Sequence, residues 1–156
     1  MTITIRNLQN KIHIRPKRIK QIVLKVLAKE AKSKPARINV CFVDDSRIKE
    51  LNRAYLKKDS PTDVLAFDMS GPPDAGCICA DIVVSAETAV RNAGIFRTSK
   101  IFEAYLYLVH GVLHILGYRD DNPKGKKLMQ DKAEEILSSL NLNLTKLTCL
   151  SRKAKP

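Results

Sequence analysis

The chain has 156 residues, 44% of them hydrophobic, with 28 lysines and arginines against 16 aspartates and glutamates, a formal net charge of +12 at pH 7. That length suits one domain whose core needs no disulfide or metal staples, and the hydrophobic content suits a globular fold rather than a disordered chain. An excess of positive charge this large favours a polyanionic partner, nucleic acid before any other.

Met1 to Leu8 alternates in polarity and predicts a first strand. It has no apolar core of the signal-peptide kind, so the cytoplasm is the expected location. Pro16 suits the first turn of a helix, and Ile19, Ile22, Val23, Val26 and Leu27 then recur at helical spacing. Between Lys11 and Arg37 stand ten lysines or arginines and a single acid, Glu30. Such uniform sign is poor material for i,i+4 pairing and marks this helix as a candidate RNA-facing surface.

Pro35 ends the helix, and Arg37 to Val43 predicts a second, central strand. Asp44, Asp45 and Ser46 offer caps for a short helix through Ile48, Leu51 and Tyr55. Pro61-Thr62-Asp63 reads as a turn and Val64 to Phe67 as a third strand. A turn-rich loop, Gly71 to Gly76, leads to a fourth strand from Cys77 to Val84. Ser85 is placed to cap a short helix ending at Gly94, and Thr98 or Ser99 to cap the helix that follows. Lys126 to Leu140 predicts a last amphipathic helix on Met129, Ala133, Ile136 and Leu140. The expected organisation is one domain over residues 1–145 with a basic tail over residues 146–156. Strands joined by helical crossovers make parallel neighbours, while the short link from Phe67 to Cys77 permits an antiparallel pair. The fold class is therefore α+β, a small mixed four-stranded sheet flanked by helices.

The cysteines at 41, 77, 79 and 149 have no zinc-finger or redox spacing and are expected to be reduced, structural thiols. The longest uncharged run, Ala104 to Tyr118, falls short of the ~20 residues of a membrane span. It contains His110 and His114, two of the three histidines in the chain. Four residues apart on a helix, both imidazoles lie on one face, one turn from each other. Gly117 supplies a helix end, because glycine alone takes left-handed dihedrals at little steric cost. Beyond that stop Asp120, or Asp121 as the alternative, can turn back towards the point the histidines share. Two neutral imidazoles and a carboxylate, with one position left open, are a ligand set for a catalytic zinc, with ligand atoms expected ~2.0–2.2 Å from the ion. Such a zinc lowers the pKa of bound water and polarises a phosphoryl or carbonyl oxygen. A zincin peptidase places its general-base glutamate directly after the first histidine. Here that position is Gly111, which weighs against peptidase chemistry and, with the positive charge, favours an RNA phosphodiester.

The segment from His110 to Asp120 resembles the signature of the YbeY family, bacterial single-domain metalloproteins implicated as endoribonucleases in ribosomal RNA maturation and ribosome quality control. His110, Gly111, Leu113, His114, Gly117 and Tyr118 fall on the family pattern. Ile115 replaces a leucine, Arg119 an aspartate, and Asp120 the third histidine. Aspartate also binds zinc, though its charge makes a bound water less acidic. Asn52 to Phe67 resembles a second motif, in which Asn52, Tyr55, Asp59, Pro61, Thr62, Asp63, Val64, Leu65 and Phe67 match. The arginine that follows the tyrosine in the family, to which the resemblance assigns a part in cleavage, is Leu56 here. Lys57 and Lys58 are the candidate replacement cations, although lysine lacks the bidentate fork that suits phosphate. Ala80 to Ser85 resembles a third, shorter stretch.

The resemblance implies a small mixed sheet with the histidine helix at its centre and one Zn2+ on His110, His114 and Asp120. It implies a single-strand-specific endoribonuclease whose partners are ribosomal RNA and the ribosome. Asp63, Asp68 and Asp81 are available for acid–base work, a role in which caps and turn residues compete. Two other classes stay open: a metallopeptidase-like hydrolase, and a ribosome-associated RNA-binding module in which Leu56 and Asp120 have weakened catalysis.

Overall fold

A computed structural model describes residues 1–32, 34–72 and 75–142. The expected basic tail and Cys149 lie outside the described residues. The order of elements is β1 (Thr2–Asn7), α1 (Pro16–Glu30), β2 (Ala36–Val43), α2 (Asp45–Leu56), β3 (Val64–Asp68), β4 (Ile78–Ser85), α3 (Ala86–Phe96), α4 (Lys100–Ile115) and α5 (Pro123–Ser139). One four-stranded sheet has the order β1-β2-β4-β3. β1 and β4 both pair parallel to β2, and β3 runs antiparallel to β4 at the edge. This is the mixed α+β sheet that the connections predict, with β2 inside it.

Alternation along the strands sorts the core into two layers. Ile38, Val40 and Phe42 of β2 and Ile78, Ala80, Ile82 and Val84 of β4 join the main cluster, with the buried faces of α1, α4 and α5. The intervening residues Val43, Leu65 and Val83 meet Ile48 of α2 in a smaller cluster on the opposite face. The expected stripe of α1 is buried residue for residue: Ile19, Ile22, Val23, Val26 and Leu27. Helix α4 is the central one, with every side chain from Phe102 to Val109 buried.

Gly111 is what lets α4 lie this close to the sheet. A Cβ there would stand 2.8 Å from Cγ2 of Ile82 and 2.9 Å from Cγ2 of Val64, both on β-branched side chains with no free end to swing away. The Gly111→Ala variant gains ~1 kcal/mol of helix propensity but must push α4 off β3 and β4, at a cost of about 1–3 kcal/mol. The expected net result is a melting temperature lowered by several degrees, read by circular dichroism.

Capping explains where helices begin. Oδ1 of Asp44 accepts from the Arg47 amide, Oγ of Ser85 from Thr88, and Oγ of Ser99 from Phe102. Asp45 does more than start α2. Its carboxylate accepts from the hydroxyls of Ser85 and Thr88, both at 2.7 Å, and from Arg91, so α2, β4 and α3 are tied at one corner. Burial works to raise its pKa, but the bonds from Ser85, Arg91 and Thr88 together hold it below the usual aspartate value. The contribution of this corner to stability is therefore complete at neutral pH and is lost in acid, below the ordinary carboxylate range.

At two helix boundaries capping overrides the sequence reading. α3 does not stop at Gly94 but runs to Phe96, because the left-handed cap is Arg97 (φ 54°), whose amide bonds the Ala93 carbonyl. α5 begins at Pro123 rather than Lys126, because Asn122 and Pro123 make an N-cap and N1 pair, with the Gly125 amide bonded to Asn122. Tyr55 lies in α2 as expected, exposed, and meets Phe67 of β3 edge-on, with ring centroids 5.2 Å apart.

Candidate metal centre

Helix α4 ends in a turn that its own carbonyls close. Gly117 has φ 95°, its amide bonds the His114 carbonyl, and the Tyr118 amide reaches back to the Leu113 carbonyl. The chain then passes through Arg119, Asp120 and Asp121 to the cap of α5. Gly125 in the first turn of α5 lies so close to this loop that a Cβ on it would stand 2.3 Å from the Arg119 carbonyl oxygen. The loop carrying Asp120 is thus pinned between the end of one helix and the start of the next.

This reversal brings His114 and Asp120 together. Nδ1 of His114 is 3.1 Å from the Tyr118 carbonyl oxygen, and Nε2 is 3.6 Å from Oδ2 of Asp120. A carbonyl only accepts, so the Tyr118 contact calls for the proton on Nδ1, and Nε2 is the nitrogen that faces the carboxylate. Two ligand atoms sharing one tetrahedral zinc stand about 3.3–3.6 Å apart, so this pair fits an ion between them. A metal-bound histidine characteristically donates its second nitrogen to such a carbonyl. The side chains are 31% and 56% exposed, open to solvent and to a substrate. They line a cavity of about 210 Å³ with Gly117, Tyr118, Arg119 and Asp121.

His110 lies one turn earlier on α4, half-buried beside Gly111. Among the described residues no group of three or more His, Cys, Asp or Glu side chains stands together at metal-holding spacing. The structure therefore assembles two of the three expected ligands, His114 and Asp120, and leaves His110 on the adjoining turn of the same helix.

The other candidates are placed as follows. Lys57 is the left-handed cap of α2 (φ 59°), and the amides of Lys57 and Lys58 both bond the Asn52 carbonyl. The Asn52 side chain, itself buried, donates to the Ser60 carbonyl, which explains an asparagine at that place in the motif. Both lysines are exposed, at the end of the helix on the opposite face of the sheet from α4. The three aspartates are engaged in structure. Asp63 accepts from the Val64 amide, Asp68 from the Ser70 amide, and Asp81 from the Asn39 side chain. The Sγ atoms of Cys77 and Cys79 are 3.6 Å apart, and both are free thiols, as is Cys41.

Two residues that the sequence reading gave no part in the site sit directly behind it. The Tyr118 hydroxyl donates to Oε2 of Glu30, and Nζ of Lys132 reaches both carboxylate oxygens of Glu30 at 3.2 and 3.3 Å. The Tyr118 hydrogen bond, reinforced by Lys132, draws the Glu30 pKa below its usual value against the effect of burial, and the same bond raises that of Tyr118. Glu30 had one visible signal, as the only acid in a run of ten cations. Lys132 had none.

Beyond Ile115 and Leu116 a second, larger cleft of about 550 Å³ opens between the end of α1 and the β3–β4 connection, rimmed by Lys32, Lys34, Asp68 and Ser70.

A family model described as Endoribonuclease YbeY matches residues 4–141. Relatives named Endoribonuclease YbeY include one from Pelotomaculum thermopropionicum, 39% identical over 150 residues, covering 91% of this chain and 99% of the relative. Another from Syntrophus aciditrophicus is 36% identical over 149 residues, covering 90% and 91%. The solution structure of a protein from Thermotoga maritima superposes with a TM-score of 0.62 at 27% identity, covering 99% of this chain and all of that one.

Proposed function

The chain belongs to the family of Endoribonuclease YbeY, hydrolytic endoribonucleases, and from that premise we propose a zinc-dependent enzyme that cuts single-stranded RNA in ribosomal RNA maturation and ribosome quality control. Its ion is held by His110, His114 and Asp120. The observation that carries this reading is the His114–Asp120 pair, with Nδ1 committed to the Tyr118 carbonyl and 3.6 Å between Nε2 and the facing carboxylate oxygen.

A bound zinc supplies Lewis acidity towards a phosphoryl oxygen and lowers the pKa of water. The chain supplies the rest. The Tyr118 carbonyl fixes the tautomer of His114, so its lone pair faces the cavity without a change of ring orientation. Exposed Lys32 and Lys34 at the rim of the larger cleft, with Lys17 and Lys20 on α1, hold the phosphates of the strand on either side. Of the α1 lysines, Lys29 is engaged, in an ion pair with Glu135. Lys57 and Lys58 stand in for the arginine that the family places at Leu56.

Peptidase chemistry is disfavoured by Gly111, whose Cα packs on Val64 and Ile82 and leaves no room there for a general-base glutamate. A binding module of lapsed catalysis is the second reading, favoured by the 51% exposed Leu56 in place of the cation. The test is protein stripped with a chelator and reloaded with zinc, assayed on single-stranded RNA, duplex RNA and casein. Cleavage of single strands that returns only with zinc is the expected result. Cleavage of casein alone points to the peptidase, and tight RNA binding without any metal-dependent cleavage to the binding module.

A further inference from the structure

We propose that Glu30 and Lys132 are positioning residues of the metal centre, clamping Tyr118 so that its main chain orients His114 and places Asp120. The inference rests on the metal reading above and adds to it which residues tune the site.

The path is short, and each link is a direct contact. Glu30 is the last residue of α1 and Lys132 lies midway along α5. Their side chains are only 13% and 27% exposed and meet at 3.2 Å, and Nζ of Lys132 also stands 5.2 Å from the centre of the Tyr118 ring. Tyr118 is therefore held by its hydroxyl on Glu30 and by its ring face on Lys132. The carbonyl of the same residue receives Nδ1 of His114. Any rotation of Tyr118 moves that acceptor, and with it the imidazole. Asp120 follows two residues later, in a loop whose far end is fixed by Gly125 against the Arg119 carbonyl. A largely buried ion pair is weak ground for stability, because desolvation offsets most of the attraction. Its value here is directional: three groups from α1, α5 and the loop define one position for one carbonyl.

Nearby, Lys29 and Glu135 make a second ion pair between the same two helices, adjacent in sequence to Glu30 and three residues beyond Lys132. Glu135 is 65% exposed, and the Tyr118 hydroxyl bonds to Glu30 rather than to this pair. It is a built-in control, since it ties α1 to α5 without touching the loop.

The experiment measures zinc affinity by chelator competition, and the visible absorption of the cobalt-substituted protein, for the wild type and for Glu30→Gln, Tyr118→Phe, Lys132→Ala, Lys132→Arg, Glu135→Gln and His114→Ala. Loss of an outer hydrogen-bond partner typically weakens metal binding about 10–100-fold. That loss, with an altered cobalt spectrum, is expected for Glu30→Gln, Tyr118→Phe and Lys132→Ala. Lys132→Arg recovers part of it, and Glu135→Gln matches the wild type. If Glu30→Gln does not fold, Tyr118→Phe, which removes one hydroxyl, decides alone. Wild-type affinity and spectrum in Tyr118→Phe overturn the proposal while leaving the metal reading intact. An equal loss in Glu135→Gln also overturns it, by showing that helix packing in general is responsible. A wild type that takes up no zinc or cobalt, no better than His114→Ala, overturns the metal reading and this inference together.

Discussion

Replacing His114 with alanine is expected to abolish zinc uptake and metal-dependent RNA cleavage together, while the domain stays folded. The two halves of that expectation have separate reasons. His114 is half-buried at the end of α4 and belongs to neither hydrophobic cluster, so its removal opens no cavity in the core. What the fold loses is one side-chain bond to the Tyr118 carbonyl, worth on the order of 1 kcal/mol. What the site loses is the ligand that both faces Asp120 and has its tautomer already set. His110 alone cannot replace it, being a turn away on the same helix. Elemental analysis of the purified variant and a cleavage assay on single-stranded RNA check the two halves, with thermal melting as the measure of folding. One equivalent of zinc retained in His114→Ala would remove the site from this loop. The exposed Asp120, replaced by Ala, should weaken zinc binding with no loss of stability, because it has no packing role.

The second large effect is a gain. Leu56→Arg is expected to raise metal-dependent cleavage by about 10²–10³-fold, the usual worth of one donor aimed at charge that develops in the transition state. Phosphodiester cleavage builds negative charge on the equatorial oxygens, and a guanidinium offers them two parallel donors where an ammonium offers a point charge. Position 56 lies at the end of α2, on the other face of the sheet from α4, so a long side chain is needed to approach the site around the edge strand β3. Leu56 is the last residue of α2, and its neighbour Tyr55 anchors that helix end on Phe67 of the edge strand β3. Val64 of the same strand packs on Gly111, next to His110. Leu56 is 51% exposed, so a longer, charged side chain meets no steric barrier and costs little stability. Zinc content should be unchanged, which separates this effect from any change at the ligands. Lys57→Ala with Lys58→Ala should lower the rate if either lysine now serves as the cation. A silent Leu56→Arg together with silent lysine variants would place the cationic role outside this segment altogether.

The basic face of α1 belongs to the same electrostatic account. Affinity for RNA that depends on Lys17, Lys20, Lys32 and Lys34 falls steeply with salt, because each phosphate contact releases counterions.

Much of this molecule was legible in the chain alone. The stripe of α1, the caps Asp44, Ser85 and Ser99, the left-handed turn at Gly117 and the four strands follow from interactions between residues a few positions apart, which periodicity and capping chemistry report directly. Of the residues singled out for a metal, His114 and Asp120 come together across the Gly117 turn, which is local geometry, while His110 stays on the adjoining turn. The boundary errors were local as well. The sequence reading took the glycine at 94 for the helix end, while an arginine three residues later adopted the left-handed cap.

Tertiary structure alone decided the rest. The order β1-β2-β4-β3 puts β3 at an edge against α4, and Gly111 is needed only because Val64 and Ile82 meet it there. The loop from Lys57 to Ser60 was visible as a motif, yet its position on the far layer of the sheet was not. Behind His114 lie a Tyr118–Glu30 bond spanning 88 residues and a Lys132–Glu30 pair spanning 102. No periodicity carries such pairings, because a side chain's partner across the core is set by how whole elements dock. The sequence by itself therefore determined that His114 and Asp120 can meet, through spacings that a single helix and turn enforce. Only the packed domain determined that Glu30, Lys132 and Tyr118 meet behind this turn, since the three come from α1, α5 and the loop.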